Sequence, residues 1–146
     1  MSSRPHTAPL ASMQADGHHD GHRAPDDSEL TLRRFYDSAS VMMGTVELVG
    51  EDILHISDNR ASAEAFGHTA EAMRGRTARA LGVPETYIPM WVDAYRRSID
   101  SEGPVRFDYE HEGMGWLKVT VDYVGQVGGR DRFLYVVDNV SEYKRI

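Results

Sequence analysis

The fold is decided by the stretch EDILHISDNRASAEAFGHTAEAMRGR, residues 51–76, which combines one strand pattern with two short helical patterns. Its apolar run ends just before Asn59, whose side-chain oxygen can accept hydrogen bonds from the first backbone N–H groups of a helix. The Ala-rich segment that follows ends at Gly67, because glycine adopts the left-handed conformation of a helix end without steric cost. Residues 69–73 predict another helical turn or two, which ends at Gly75.

The strand in this stretch carries apolar side chains on both of its faces. Leu54 and Ile56 share one face, while Ile53 and His55 share the other, because successive side chains of a strand alternate. We expect Leu54 and Ile56 to face the core, so that His55 points away from any pocket. His55 is then expected to pack against an N-terminal helix or a partner protein rather than to bind a ligand.

Elements on either side of the stretch complete an α+β pattern. A short helix is predicted near residues 29–40, and two apolar runs within residues 42–57 predict a β-hairpin. The longest helical pattern spans residues 85–101. Alternating runs separated by glycine turns then predict three strands, near residues 105–110, 117–123 and 133–137. Together these elements predict one five-stranded antiparallel sheet, with short helices and one longer helix on one face, plus the N-terminal helix.

Composition and charge limit the possible functions. The chain has 146 residues, which is enough for one domain with a buried core. Its net charge of -7 disfavours nucleic-acid partners, since phosphate binding needs a concentrated Lys/Arg surface. The absence of cysteine excludes disulfides, Cys-based zinc sites and iron–sulfur clusters. No apolar run approaches the roughly 20 residues that span a bilayer, so we expect a cytoplasmic protein with no membrane partner.

Residues 1–28 differ from the rest of the chain. They are rich in Ser, Pro, Gly, Asp and His and have no helical or strand period, so we expect a disordered leader before a domain at residues 29–146. A loosely held metal ion is conceivable at the His-rich run formed by His18, His19, Asp20 and His22. We favour a solvated tail and no metal site, because nothing in the segment would hold the ligands in place.

Residues 30–146 resemble the PAS family in three places. Residues 51–76 are similar to the family's succession of strand, Asn, short helix, Phe-Gly-(Tyr/His) and second short helix. The helix that carries Trp91 and Tyr95 takes the place of the family's long connecting helix. FLYVVDNVSEYKR, residues 133–145, is similar to the last strand and its Asp-x-Thr/Ser-Glu ending. The resemblance implies a PAS fold.

PAS sheets and helices enclose a pocket that holds a cofactor, a small metabolite or only side chains, and the resemblance implies such a pocket here. The candidate lining residues are aromatic, namely Phe66, Trp91, Tyr95, Trp116, Tyr123 and Tyr135. Ordinary core packing of these rings is the interpretation that we favour over ligand binding. Asn59 and Gly67 are expected to have structural rather than catalytic roles.

The nature of any cofactor stays unknown, but three modes are disfavoured. Haem-binding relatives carry an axial His on the long helix, and residues 87–101 contain none. Relatives that form a photochemical flavin adduct and relatives of the photoactive-yellow type, which bind a chromophore, both need a Cys that this chain lacks. A flavin bound without a covalent link stays open.

The resemblance implies a sensory or regulatory module of signal transduction, similar to the sensor domains of two-component histidine kinases. Asp138 and Ser141 lie where the last strand gives way to a helix, the junction at which such proteins pass a change to an effector. The chain stops at Ile146, so the effector is either a removed C-terminal domain or a separate partner. A homodimer or a signalling partner is expected to use the surface formed by Leu30, Phe35, Ile53 and His55.

An enzyme is the alternative from another class of function. A small cone-shaped α+β fold of the ketosteroid-isomerase type would use a pocket Asp or His as a base. That fold usually places its long helices before most strands, whereas two strands come first here. We also predict no inward-facing carboxylate, because Asp108 and Asp122 alternate with the apolar set. We therefore expect no enzymatic activity; a kinase domain, if there is one, would lie outside this chain.

Overall fold

The structure is a computed structural model and describes residues 27–141. The His-rich run at His18, His19, Asp20 and His22 and the predicted helix after Ser141 lie outside the described residues. The described elements are α1 Asp27–Ser38, β1 Met42–Val49, β2 Asp52–Asp58, α2 Arg60–Phe66, α3 Ala70–Met73, α4 Ile88–Asp100, β3 Val105–His111, β4 Gly115–Val127 and β5 Arg130–Asn139. None of the helices within this range is long and apolar enough to cross a membrane.

The five strands form one antiparallel sheet in the order β2-β1-β5-β4-β3. The prediction that two strands from before the helical block join three from after it is therefore confirmed. β1 is the strand that links the two groups, since Val46 pairs with His55 of β2 on one side and with Phe133 of β5 on the other. Three strand pairs are consecutive hairpins, and only the β1–β5 pairing joins distant parts of the chain.

The turn between β4 and β5 shows why glycine is needed there. Val127 pairs with Arg130, so the loop has only two residues, Gly128 and Gly129. Their φ angles are 59° and 82°. Two-residue hairpins that match the twist of the strands require positive φ at both positions, which glycine adopts without strain.

The core lies between one face of the sheet and α4. Val46, Val119, Val121 and Phe133 of the sheet have no exposed surface. α4 covers them with an apolar stripe at Ile88, Val92 and Tyr95, at the three- and four-residue spacing of one helix face. α2 and α3 pack beside α4 on the same side of the sheet, against β1 and β2.

The orientation of β2 differs from the prediction. Ile53 and His55 are only 5% and 4% exposed and face the helices, whereas Leu54 and Ile56 lie half-buried on the other face. The prediction that Leu54 and Ile56 face the core is wrong, and so is the assignment of Ile53 and His55 to a dimer surface. Alternation separates two faces but does not say which is inside when both carry apolar residues.

Candidate ligand-binding site

A cavity of about 230 Å³ lies between the inner face of the sheet and the helical side of the domain. Its floor includes Ile53 of β2 and Leu117 of β4, and α4 covers it with Ile88 and Trp91. Three of the lining residues, Ala65, Gly82 and Pro84, are exposed, so the cavity reaches the surface.

Four of the six aromatic residues predicted for a pocket line this cavity: Phe66, Trp91, Tyr95 and Tyr135. The other two do not. Trp116 precedes the inward-facing Leu117 in β4, so its side chain lies on the opposite face of the sheet. Tyr123 lies toward the far end of the same strand, where its ring packs against Phe133 at 5.4 Å and its hydroxyl donates to Asp131 at 2.7 Å. The prediction is therefore wrong for Trp116 and Tyr123.

A buried polar cluster forms one wall of the cavity. It consists of His55, Asp58, Ser62 and Tyr135, each 5% exposed or less. The Asp58 carboxylate is its centre: His55 Nδ1 lies 2.8 Å from Oδ1 and 3.0 Å from Oδ2. The Tyr135 hydroxyl donates to the same Oδ1, and Ser62 Oγ contacts the Tyr135 hydroxyl. The elements β2, α2 and β5 are thereby joined through side chains.

The hydrogen bonds define which ring nitrogen of His55 is a donor. An ionised carboxylate only accepts, so a proton on Nδ1 satisfies both contacts with Asp58. In the neutral imidazole the other nitrogen, Nε2, then carries a lone pair. Nε2 has no hydrogen-bond partner among residues 27–141, and no fully buried side-chain nitrogen or oxygen in that range lacks one, so Nε2 must reach the cavity.

The Tyr95 hydroxyl is a second polar group of the cavity that has no hydrogen-bond partner among residues 27–141. The residue is 1% exposed and lines the cavity, yet its hydroxyl makes no hydrogen bond within the described part of the chain. Burial raises the pKa of Tyr95 well above its ordinary value of 10.0, and the Asp58 charge raises it further. The hydroxyl therefore stays protonated and is available as a donor.

The other tyrosines of the cavity are held neutral as well. Burial, followed by the charge of Asp58, raises the pKa of Tyr135 well above 10.0. Burial also raises the pKa of Tyr109, against the opposing effect of the Trp91 indole N–H, which donates to the Tyr109 hydroxyl at 3.1 Å. The cavity lining thus presents uncharged tyrosine hydroxyl groups.

Asp58 and Ser62 were not among the predicted site residues. The prediction that no carboxylate faces inward considered Asp108 and Asp122 and is wrong, because Asp58 at the end of β2 is 4% exposed. A signal was present in HISDNRAS, residues 55–62: a buried His needs a polar partner, and the nearest acid follows three positions later. Tyr135 lies 77 residues from Asp58, and no local sequence pattern predicts that contact.

Asn59 and Gly67 bound α2. The Asn59 side chain accepts from the Ser62 backbone N–H at 3.0 Å, which is an N-cap contact. Gly67 has φ 76° and closes the helix by donating to the carbonyl oxygens of Ala63 and Glu64. Asn59 also binds Met43, Tyr36 and Val41, so it ties α1, β1 and α2 together.

The predicted signalling junction is partly described. Asp138 is exposed near the end of β5, and Ser141 Oγ accepts from the Trp116 backbone N–H at 3.0 Å. Asn139, which was not predicted, accepts from the Ser141 backbone N–H at 3.1 Å and donates to the Met114 carbonyl at 2.8 Å. Met114 lines the cavity, so the junction and the cavity share a wall. The helix that Asp138 or Ser141 was predicted to cap falls in residues outside the described range.

None of the residues that line the cavity is Lys, Arg, Asp or Glu. Within residues 27–141, no three His, Asp or Glu side chains are placed to hold a metal ion. The lining offers apolar contacts together with the hydrogen-bonding groups of His, Ser and Tyr side chains.

A sheet and helices that enclose a cavity of this kind define a class of α+β domain that is known from solved structures. The PAS domain of BvgS from Bordetella pertussis is similar at a TM-score of 0.58 and 16% identity, covering 82% of this chain and 91% of that chain. The PAS domain of an HTR-like protein from Haloarcula marismortui gives a TM-score of 0.53 at 15% identity, covering 77% of this chain and 92% of that chain.

A third similar structure is the photoactive yellow protein domain of the sensor histidine kinase Ppr from Rhodospirillum centenum. Its TM-score is 0.51 at 20% identity, covering 78% of this chain and 93% of that chain. No protein-family model and no curated protein matches the sequence. The protein has the PAS fold, as the three sequence motifs implied.

Proposed function

We propose that the protein is a sensory module of signal transduction that binds a small molecule in the cavity between sheet and helices. The observation that carries the proposal is the pair of polar groups, His55 Nε2 and the Tyr95 hydroxyl, that belong to buried residues of the cavity lining and have no hydrogen-bond partner among residues 27–141. Buried polar groups are costly when unpaired, so their placement favours a ligand that pairs with them. The solved PAS domains of sensor kinases support a signalling role.

A signal leaves the cavity through the wall that the cavity shares with the junction at the end of β5. Val137 and Met114 both line the cavity, and the chain continues from Val137 to the end of β5 at Asn139 and then to Ser141. The hydrogen bonds of Asn139 to Met114 and of Ser141 to Trp116 fasten this end to the turn before β4. A ligand that displaces Met114 or Val137 changes these bonds, and the change passes to a C-terminal effector or to a partner of the histidine-kinase type.

Titration with toluene and phenol, followed by two-dimensional ¹H–¹⁵N NMR, tests the proposal. We expect millimolar or tighter binding, with shifts at Tyr135 and Val137 and also at Ser141. Ala65→Trp places a large ring at the exposed mouth and is expected to weaken binding about tenfold by excluding the probe. Glu64→Trp is the matched control, because Glu64 is exposed on the same helix but does not line the cavity. If neither probe shifts any cavity resonance, the cavity is not a ligand site.

We also propose that the module forms a homodimer through α1, since one observation favours it. No residue of α1 is buried, and Leu32 and Phe35 are 66% and 73% exposed. These two lie three positions apart and share a helix face, whereas Leu30, 47% exposed, lies on another side. Exposed large apolar side chains on one face are typical of an interaction surface.

Light scattering at several protein concentrations tests the dimer. We expect a dimer for the unaltered protein and a monomer for the double variant Leu32→Glu with Phe35→Glu, because two charges at the contact prevent its desolvation. Arg34→Glu, on the opposite side of α1, should leave the dimer intact. A monomer at all concentrations in the unaltered protein would contradict the proposal.

A further inference from the structure

The chemistry of the cavity wall restricts what can bind there. A carboxylate or phosphate ligand needs a cationic partner, and an amine needs an anionic one, because an unpaired buried charge is costly. No Lys, Arg, Asp or Glu side chain lines the cavity. The Asp58 charge lies behind His55 and Tyr135 and already accepts hydrogen bonds from both. His55 and His111 are the lining residues that can become cationic, and with both imidazoles neutral the wall favours a neutral ligand.

The size and the apolar lining restrict the ligand further. A dry protein cavity of about 150 Å³ accommodates benzene, and the cavity here measures about 230 Å³. The aromatic rings of Phe66, Trp91 and Tyr135 line the cavity. Aliphatic side chains, such as those of Ile53 and Val137, line it as well. Aromatic walls of this kind suit the face or edge of a planar ring. One ring with small substituents fits this space.

The two unpartnered polar groups define the substituent. In the neutral imidazole, His55 Nε2 is a lone-pair acceptor when Nδ1 carries the proton that is donated to Asp58 at 2.8 Å. The Tyr95 hydroxyl is a donor without a partner among residues 27–141. The Trp91 ring packs against Tyr95 at 5.9 Å and against Tyr135 at 6.2 Å, and Tyr135 packs against His55 at 6.1 Å, so Tyr95 and His55 belong to neighbouring parts of the lining. A hydroxyl is the small group that satisfies both, since it donates one hydrogen and accepts another. A methyl group satisfies neither, and an ether oxygen satisfies only the donor.

We propose that the ligand is a neutral single-ring compound with one hydroxyl group, which donates to His55 Nε2 and accepts from the Tyr95 hydroxyl. The inference rests on the proposed function, because it names the ligand class of the same cavity. Asp58 acts in it as a positioning residue: it holds the imidazole with Nε2 toward the cavity.

A panel of four probes tests the ligand class by NMR titration. Phenol and toluene have the same number of heavy atoms and differ at the hydroxyl; anisole retains only the acceptor, and benzoate adds a negative charge. We expect phenol to bind about tenfold more tightly than toluene, because two hydrogen bonds are made in place of none. Anisole is expected between them, and benzoate is expected to bind weakest. Equal affinity for phenol and toluene, or tighter binding of benzoate, would overturn the inference.

Tyr95→Phe separates hydrogen bonding from packing. The hydroxyl makes no hydrogen bond within the described residues, so its removal should leave the fold intact. We expect the variant to lose most of the preference for phenol and to keep its affinity for toluene. Tyr123→Phe is the matched control, since Tyr123 does not line the cavity. A variant that weakens phenol and toluene alike would show that Tyr95 contributes shape only.

The ¹⁵N resonances of the His55 imidazole give a readout that needs no substitution at a buried residue. They should show a proton on Nδ1 and none on Nε2 in the free protein, and a shift of Nε2 when phenol binds but not when toluene binds. A proton on Nε2 in the free protein would refute the donor–acceptor assignment. Toluene binding without a phenol preference defeats this inference alone, whereas no binding of any probe defeats the proposed function as well.

Discussion

Asn59→Ala is expected to lower the free energy of unfolding by about 3–5 kcal/mol, because one fully buried side chain serves four backbone groups. Its Oδ1 accepts from Ser62 N and Met43 N, both at 3.0 Å. Its Nδ2 donates to the carbonyls of Tyr36 and Val41, at 2.8 and 3.0 Å. Alanine leaves these groups without the Asn59 side chain, at about 1–3 kcal/mol for each group that stays buried. Urea denaturation followed by circular dichroism measures the loss.

Thr69→Ala is the matched control for Asn59→Ala. Thr69 also caps a helix, but it accepts a single hydrogen bond, from Ala72 N at 3.1 Å, at an exposed position. Its loss should cost only about 1 kcal/mol, the ordinary value of an N-cap. Asn59→Asp distinguishes the two ends of the side chain, since it keeps the acceptor and turns the donor into an oxygen that faces two carbonyls. Equal losses for Asn59→Ala and Thr69→Ala would mean that Asn59 is merely a cap.

Gly44→Ala is expected to destabilise the protein by about 3 kcal/mol, the upper part of the usual range for overpacking, or to prevent folding. A Cβ at Gly44 would lie 2.4 Å from the Ser57 carbonyl oxygen and 2.6 Å from the Tyr135 ring. The oxygen belongs to the backbone of the paired strand β2, so it cannot move without breaking the ladder. The same clash pushes the Tyr135 ring, whose hydroxyl completes the cluster around Asp58. Thermal and urea unfolding measure the change.

Gly103→Ala provides the comparison for Gly44→Ala. A Cβ at Gly103 meets no atom within 4 Å, and its φ is not in the left-handed region. This variant should change stability by less than about 0.5 kcal/mol, as surface substitutions usually do. If both alanine variants were equally stable, the close approach of β1, β2 and Tyr135 would not exist in solution.

Local sequence was sufficient for the type and order of the elements, whereas β4 and β5 extend several residues beyond their predicted bounds. Asn59 and Gly67 bound a helix for reasons that lie within a few residues: a side-chain acceptor for a nearby N–H, and a backbone free of Cβ strain. The glycine pairs and alternating runs were likewise enough for the three hairpins, because each strand pairs with its neighbour in the chain. The PAS fold followed from the order of these elements.

The inward face of β2 and the composition of the polar cluster were decided only by tertiary structure. Ile53 and Leu54 are both apolar, so the alternating pattern of β2 does not identify the face that points inward. The inward face is the one that meets α4 and the buried carboxylate of Asp58. The bond from Tyr135 to Asp58 joins residues 77 positions apart. It exists because the β1–β5 pairing places Tyr135 opposite Gly44, beside the end of β2. Short-range propensity carries no information about such a contact, since the energy that selects it arises only when the whole sheet has assembled.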